Sequence, residues 1–111
     1  MGLFDGILGG VIGGTMAPIV NRLLEEHGGV QGIVGELRSK GLGDTVQSWI
    51  NPGPNQPVSA SQLHQALGPD TIAQLAAKLG VSPDVLAGKL AEVLPQAVDT
   101  LTPGGVVPPP P

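Results

Sequence analysis

Large apolar residues recur in adjacent pairs, about one helical turn apart, along the first 24 positions of the chain. The series begins with Leu3 and Phe4 and ends with Leu23 and Leu24. This spacing predicts helix, but glycines fill most of the opposite positions, and each glycine weakens a helix by about 0.5–1 kcal/mol. We therefore expect residues 1–24 to be a glycine-rich, apolar, amphipathic segment that needs a partner surface.

The glycines of this segment recur four residues apart, and such a stripe lets a second backbone approach closely. We therefore expect homo-oligomers or a polymer, and a folded monomer when residues 2–16 are deleted. A loosely packed leader and a membrane-surface anchor are the alternatives. The anchor is weakened because no lysine or arginine precedes Arg22. The residues predicted to mediate self-association are Leu3, Phe4, Gly6, Ile7, Leu8, Gly10, Val11, Ile12 and Gly14.

The rest of the chain alternates short amphipathic patterns with glycine and proline stops. This alternation predicts an all-α protein, a compact array of about six short helices with Gly/Pro-rich connectors. Three of these helices are expected over residues 18–27, 30–39 and 45–50, the last capped by Asp44. Trp49 is the single tryptophan among mostly aliphatic apolar residues, so we expect it to anchor the core.

The C-terminal half carries clearer helix signals. Ser59 and Gln62 form a predicted capping box for a helix that ends before Gly68. The next helix follows from Pro69 with Leu79 among its inward residues. The last begins after Ser82, and Pro95 is expected to kink or break it. We divide the chain into residues 1–24, a compact helical domain at 25–103 and an extended proline-rich tail at 104–111.

Residues 71–86 resemble the helix-turn-helix of DNA-binding proteins, with Gly80 in the turn and Ser82 capping the second helix. Reading DNA requires Arg, Lys, Asn or Gln at the start of that second helix, and phosphate contacts around it. Here the start is Pro83 and Asp84, and the chain has a net charge of −4. We expect the geometry without binding to nucleic acid.

Composition offers little chemistry. There is no cysteine or tyrosine, there are two histidines, and no metalloprotease, P-loop or nucleophile-elbow motif occurs. Asp44 and His64 could be imagined as an acid–base pair, but helix capping and a surface position explain them more simply. We predict a protein that is not an enzyme, with no catalytic, cofactor-binding or metal-binding residues and no small-molecule substrate.

Targeting signals are weak. The apolar run lacks the preceding positive charge of a signal peptide and is too diluted by glycine for a spanning helix. We expect a cytoplasmic protein, with membrane association as the alternative.

Several stretches are distinctive in combination. The chain opens with MGLFD before its glycines, residues 41–49 are GLGDTVQSW, and residues 53–59 are GPNQPVS. Residues 73–76 are AQLA, and residues 80–82 are GVS. Together these motifs resemble the YidB-like family of uncharacterised bacterial proteins, over nearly the whole chain. The resemblance implies a compact array of short helices and a bacterial source, and it brings no catalytic residues.

Overall fold

A computed structural model of the chain describes residue 10 and residues 13–107. Within this part the chain is all helical and has no strand, which confirms the predicted fold class. The helices are α1 (Ala17–Glu26), α2 (Gly29–Ser39), α3 (Gly43–Ile50), α4 (Ala60–Leu67), α5 (Pro69–Leu79) and α6 (Pro83–Leu101), followed by a 3-10 turn at Pro103–Gly105.

Helix α6 is the element against which most of the other helices pack, because it contacts α1, α3, α4 and α5. Leu86, Leu90 and Leu94 lie on its buried face. Of the two predicted effects of Pro95, a kink or a break, the break does not occur: α6 continues to Leu101, and Pro95 is buried. Proline removes one helical hydrogen bond. The residues beyond it, such as Val98, lie in the same core and hold the helix together.

Helix α1 belongs to this core. Val20, Leu23 and Leu24 are buried in it, and the boundary drawn between residues 24 and 25 falls inside the helix. Met16, the residue before α1, is also buried, with 9% of its surface exposed. A deletion that is meant to leave the core intact should therefore end before Met16.

Helices α1 and α2 meet at a close turn that requires glycine. A Cβ atom added to Gly32 would overlap the backbone carbonyl oxygen of His27. By contrast, a Cβ added to Gly35, one helical turn later in α2, would meet no heavy atom within 4 Å. Gly28, in the turn itself, and Gly29, the first residue of α2, have φ of 83° and 82°, which also favours glycine. The connection therefore depends on particular glycine positions and not on the overall glycine content of α2.

Helix α3 begins at Gly43, two residues earlier than the sequence suggests. Leu42 precedes the helix without a side-chain cap, and Asp44 lies within the first turn. The predicted capping role of Asp44 is therefore wrong. The backbone N–H of Val46 bonds to the carbonyl oxygen of Leu42 at 2.9 Å, which starts the helix at Gly43. A carboxylate in the first turn still favours the helix dipole.

The predicted caps of the C-terminal half are confirmed. Ser59 Oγ accepts a hydrogen bond from the N–H of Gln62, whose side chain accepts one from the N–H of Ser59. Ser82 Oγ accepts from the N–H of Val85 at 3.2 Å. These bonds satisfy amides that have no partner within the helix, so they fix where α4 and α6 begin.

Candidate interaction site

The connection between α5 and α6 brings a set of apolar side chains to the surface. Gly80 ends α5 with φ of 72°, a left-handed conformation that favours glycine. The N–H of Val81 then bonds back to the carbonyl oxygen of Ala76 at 3.1 Å. With Ser82 capping α6, only three residues separate the helices, so the two ends and the turn form one compact surface.

Three large apolar residues are exposed on this surface: Leu79 (40%), Val81 (40%) and Val85 (51%). The expectation that Leu79 points inward is wrong. The buried face of α5 comprises Ile72, Leu75 and Ala76. Leu79 is the last residue of the helix, and because the chain turns at Gly80, no further helical turn covers it. Water therefore contacts an apolar cluster where a helix-turn-helix protein usually presents polar side chains.

The start of α1 lies on the other side of this cluster and completes a groove of about 370 Å³. We call it the apolar groove. Lys89 is the charged side chain among its described lining residues. The groove is lined by Thr15, Met16, Ile19, Leu79, Val81, Val85, Leu86 and Lys89.

A wider cleft of about 720 Å³ continues from the groove between α1 and α5. It shares Thr15, Ile19 and Leu79 with the groove, but charged side chains, including Lys78, occupy much of its wall. Arg22 forms an ion pair with Glu26 there at 3.3 Å. The surface thus passes from an apolar end at the α5–α6 turn to a charged end along α1.

Most of the residues predicted for self-association, Leu3, Phe4, Gly6, Ile7, Leu8, Val11 and Ile12, lie outside the described residues. Gly10 and Gly14 are described, and both are exposed. A Cβ atom added at either would meet no heavy atom within 4 Å. Gly13 has φ of 90°, which a right-handed helix does not permit, so α1 does not continue back through this residue.

The other predicted residue, Trp49, is fully buried in the core and does not line the groove. The residues around Trp49 in the sequence do not line the groove either. Leu79, Val81 and Val85 are the residues that sequence reasoning missed. A usable signal was present, because valines occupy a turn and a first helical turn where readers of DNA carry polar side chains.

The titratable side chains of the described residues form no group of three that could hold a metal ion. His64 Nε2 lies 3.4 Å from a carboxylate oxygen of Asp84. The aspartate beside His64 is therefore Asp84 and not Asp44, the partner considered from the sequence. This contact connects α4 to the start of α6. Neither residue lines the groove, so the pair contributes to the helix arrangement and not to the candidate site.

Comparison with known proteins gives matches over almost the whole chain. The family model described as YidB-like protein matches residues 1–110. The uncharacterised protein YidB of Escherichia coli strain K12 is 40% identical over 112 residues, covering 98% of this chain and 85% of that protein. A solved structure of a homeodomain-like protein of unknown function from Shigella flexneri has a TM-score of 0.77 and 37% identity, covering 95% of this chain and 85% of that one. The likeness agrees with the helix-turn-helix geometry of α5 and α6.

Proposed function

The chain belongs to the YidB-like family, and we propose that it is a non-enzymatic structural protein that assembles with copies of itself through its glycine-rich N-terminal segment. The observation that supports this most directly is the exposure of Gly10, Gly13 and Gly14. An added Cβ atom at any of the three would meet no heavy atom within 4 Å. The glycine side of the segment is therefore accessible to a second backbone at every position that the structure describes.

Burial of the segment's apolar side chains would be strongly favourable. Full burial of a Leu, Ile, Val or Phe side chain contributes about 1.5–3 kcal/mol. The first twelve residues contain six such side chains. Burial of all six is enough to offset the loss of translational and rotational entropy when two chains associate. The six are Leu3, Phe4, Ile7, Leu8, Val11 and Ile12.

The start of α6 favours a protein partner over DNA. Asp84 and Val85 are exposed where a recognition helix presents basic or amide side chains. With a net charge of −4, the chain also lacks the electrostatic attraction to phosphate that precedes such recognition.

The membrane surface is the competing partner for the same segment. Among the described residues, no helix is long and apolar enough to cross a bilayer. An interfacial anchor usually combines an apolar face with lysines or arginines. The segment has the apolar residues but no lysine or arginine before Arg22.

The test is light scattering on the full chain over a range of concentrations. We expect a mass well above the 11.1 kDa of one chain. We expect the variant with Ile7→Glu and Val11→Glu to be a monomer, because two charges would have to be buried at the interface. A monomeric full chain at every concentration would refute self-assembly. Co-sedimentation with phosphatidylglycerol vesicles would then decide whether the segment binds a membrane instead.

A further inference from the structure

We propose that the apolar groove is the acceptor site for residues 3–12 of a second copy of the chain, so that copies join head to tail. This inference rests on the proposed self-assembly and specifies which surface of the neighbouring copy the segment contacts. In the neighbouring copy, the segment would lie against Leu79, Val81 and Val85 at the α5–α6 turn. It would also contact Met16, which precedes α1, and Ile19 in α1.

The groove and the segment both present apolar side chains. Leu79, Val81 and Val85 are 40–51% exposed within one chain. They border a groove of about 370 Å³, which is within the usual size of a binding pocket. The segment supplies apolar residues at helical spacing, and recognition of an amphipathic helix in a groove uses that spacing. Docking would therefore cover apolar side chains of both surfaces.

The short distance along the chain between the segment and the groove favours a segment from a second copy. Only Gly13 and Gly14 separate the segment from Thr15, which itself lines the groove. A segment docked in its own groove would have to reverse direction at once and pack close to its own body. Instead, Gly10 is exposed with no heavy atom near the position of a Cβ, and Leu79, Val81 and Val85 of the same chain remain exposed. These observations favour a second copy.

The segment and the groove carry opposite charges. Asp5 is the only charged side chain before Arg22, so the segment carries a single negative charge besides its amino terminus. Lys89 lines the apolar groove, and Lys78 lines the cleft that continues from it. A carboxylate that docks beside either lysine gains an opposite charge, which helps to fix the direction in which the segment lies.

The contact that results joins two different surfaces. Such heterologous contacts close into rings when the rotation between copies permits and otherwise extend as open filaments. Pairing of two segments through their glycine stripes would instead use the same surface twice and end at a dimer. The two arrangements therefore differ in what happens when only one of the two surfaces is removed.

The experiment uses two full-length variants that each lack one surface. Val85→Glu blocks the groove, and the variant with Ile7→Glu and Val11→Glu blocks the segment. We expect each variant alone to associate at least tenfold more weakly than the unmodified chain. A mixture of the two should form a complex of twice the monomer mass and stop there, because one intact groove meets one intact segment.

Val106→Glu is the matched control, because Val106 is 67% exposed and lies outside the groove. It should assemble as the unmodified chain does. Circular dichroism should show that each variant is folded, and Leu79→Glu replaces Val85→Glu if the latter unfolds. If the groove variant assembles normally while the segment variant is a monomer, the groove is not the acceptor, although self-assembly stands. If the mixture fails to form the complex, the pairing is likewise refuted. A monomeric unmodified chain refutes the self-assembly itself.

Discussion

The indole Nε1 of Trp49 donates a hydrogen bond to the backbone carbonyl oxygen of Gln56, 2.9 Å away. The backbone N–H of Gln56 donates in turn to the hydroxyl oxygen of Ser48 at 2.8 Å. Two successive side chains of α3 therefore hold both backbone groups of one residue in the connector between α3 and α4. The connector owes its path to this attachment as well as to its prolines.

Trp49→Phe should lower the free energy of unfolding by about 2–4 kcal/mol. The change removes buried volume and leaves the Gln56 carbonyl oxygen without its donor. Urea unfolding followed by far-ultraviolet circular dichroism measures the loss, since the variant has no tryptophan. Ser48→Ala is the comparison and should lose only about 0.5–1.5 kcal/mol, because it removes one hydrogen bond and almost no packing. Equal losses would contradict this assignment of the tryptophan's role.

Two glycines of α2 should respond in opposite directions to the same substitution. Gly32→Ala should destabilise the protein by about 3 kcal/mol or more, because the new methyl group would overlap the carbonyl oxygen of His27. Gly35→Ala should stabilise it by about 0.5–1 kcal/mol, because this exposed helical position has open space and alanine is the better helix former. Thermal unfolding of both variants checks the pair. A stable Gly32→Ala variant would show that α1 and α2 do not approach as described.

Ser82→Ala should cost about 1 kcal/mol of stability. The hydroxyl of Ser82 accepts the hydrogen bond that begins α6, and alanine leaves the N–H of Val85 without this acceptor. Ser61→Ala, at an exposed position within α4, serves as the control and should change stability by no more than about 0.5 kcal/mol. Chemical denaturation of both variants gives the comparison. A Ser82 variant as stable as the control would show that the capping bond does not stabilise the start of α6.

Charge reversal should locate the segment in the groove. Asp5→Lys and Lys89→Asp should each weaken assembly about two- to fivefold at low salt, as expected for a partly exposed ion pair. The variant with both changes should recover, because the opposite charges again face each other. Lys40→Asp, a reversal outside the groove, is the control for net charge. Light scattering at low and high salt measures the effect, and failure of the double variant to recover would place Asp5 away from Lys89.

Local chemistry explains which features could be predicted. The capping box at Ser59 and Gln62, the cap at Ser82 and the stop at Gly80 depend on residues a few positions apart, so the sequence contains all their partners. Pro95 could not be predicted in the same way. Its local effect disfavours helix, and helix α6 passes through it because of packing with elements that are distant in the sequence.

Leu79 shows the same limit at the candidate site. Helical spacing places it on the face of Ile72 and Leu75, and only the end of the helix at a turn leaves it uncovered. The groove depends on α1 and the α5–α6 turn, which are separated by more than fifty residues. No local sequence pattern indicates that α1 and the α5–α6 turn lie next to each other.

The amino-acid sequence by itself determined the all-α class, most helix ends and the apolar, glycine-striped character of the N-terminal segment. These properties follow from hydrogen bonds, backbone preferences and spacing within one or two helical turns. Only the tertiary structure decided which apolar residues are covered and which are left in water. That outcome depends on how distant helices share a limited core, and it turns three residues of a helix-turn-helix into a candidate site for a partner protein.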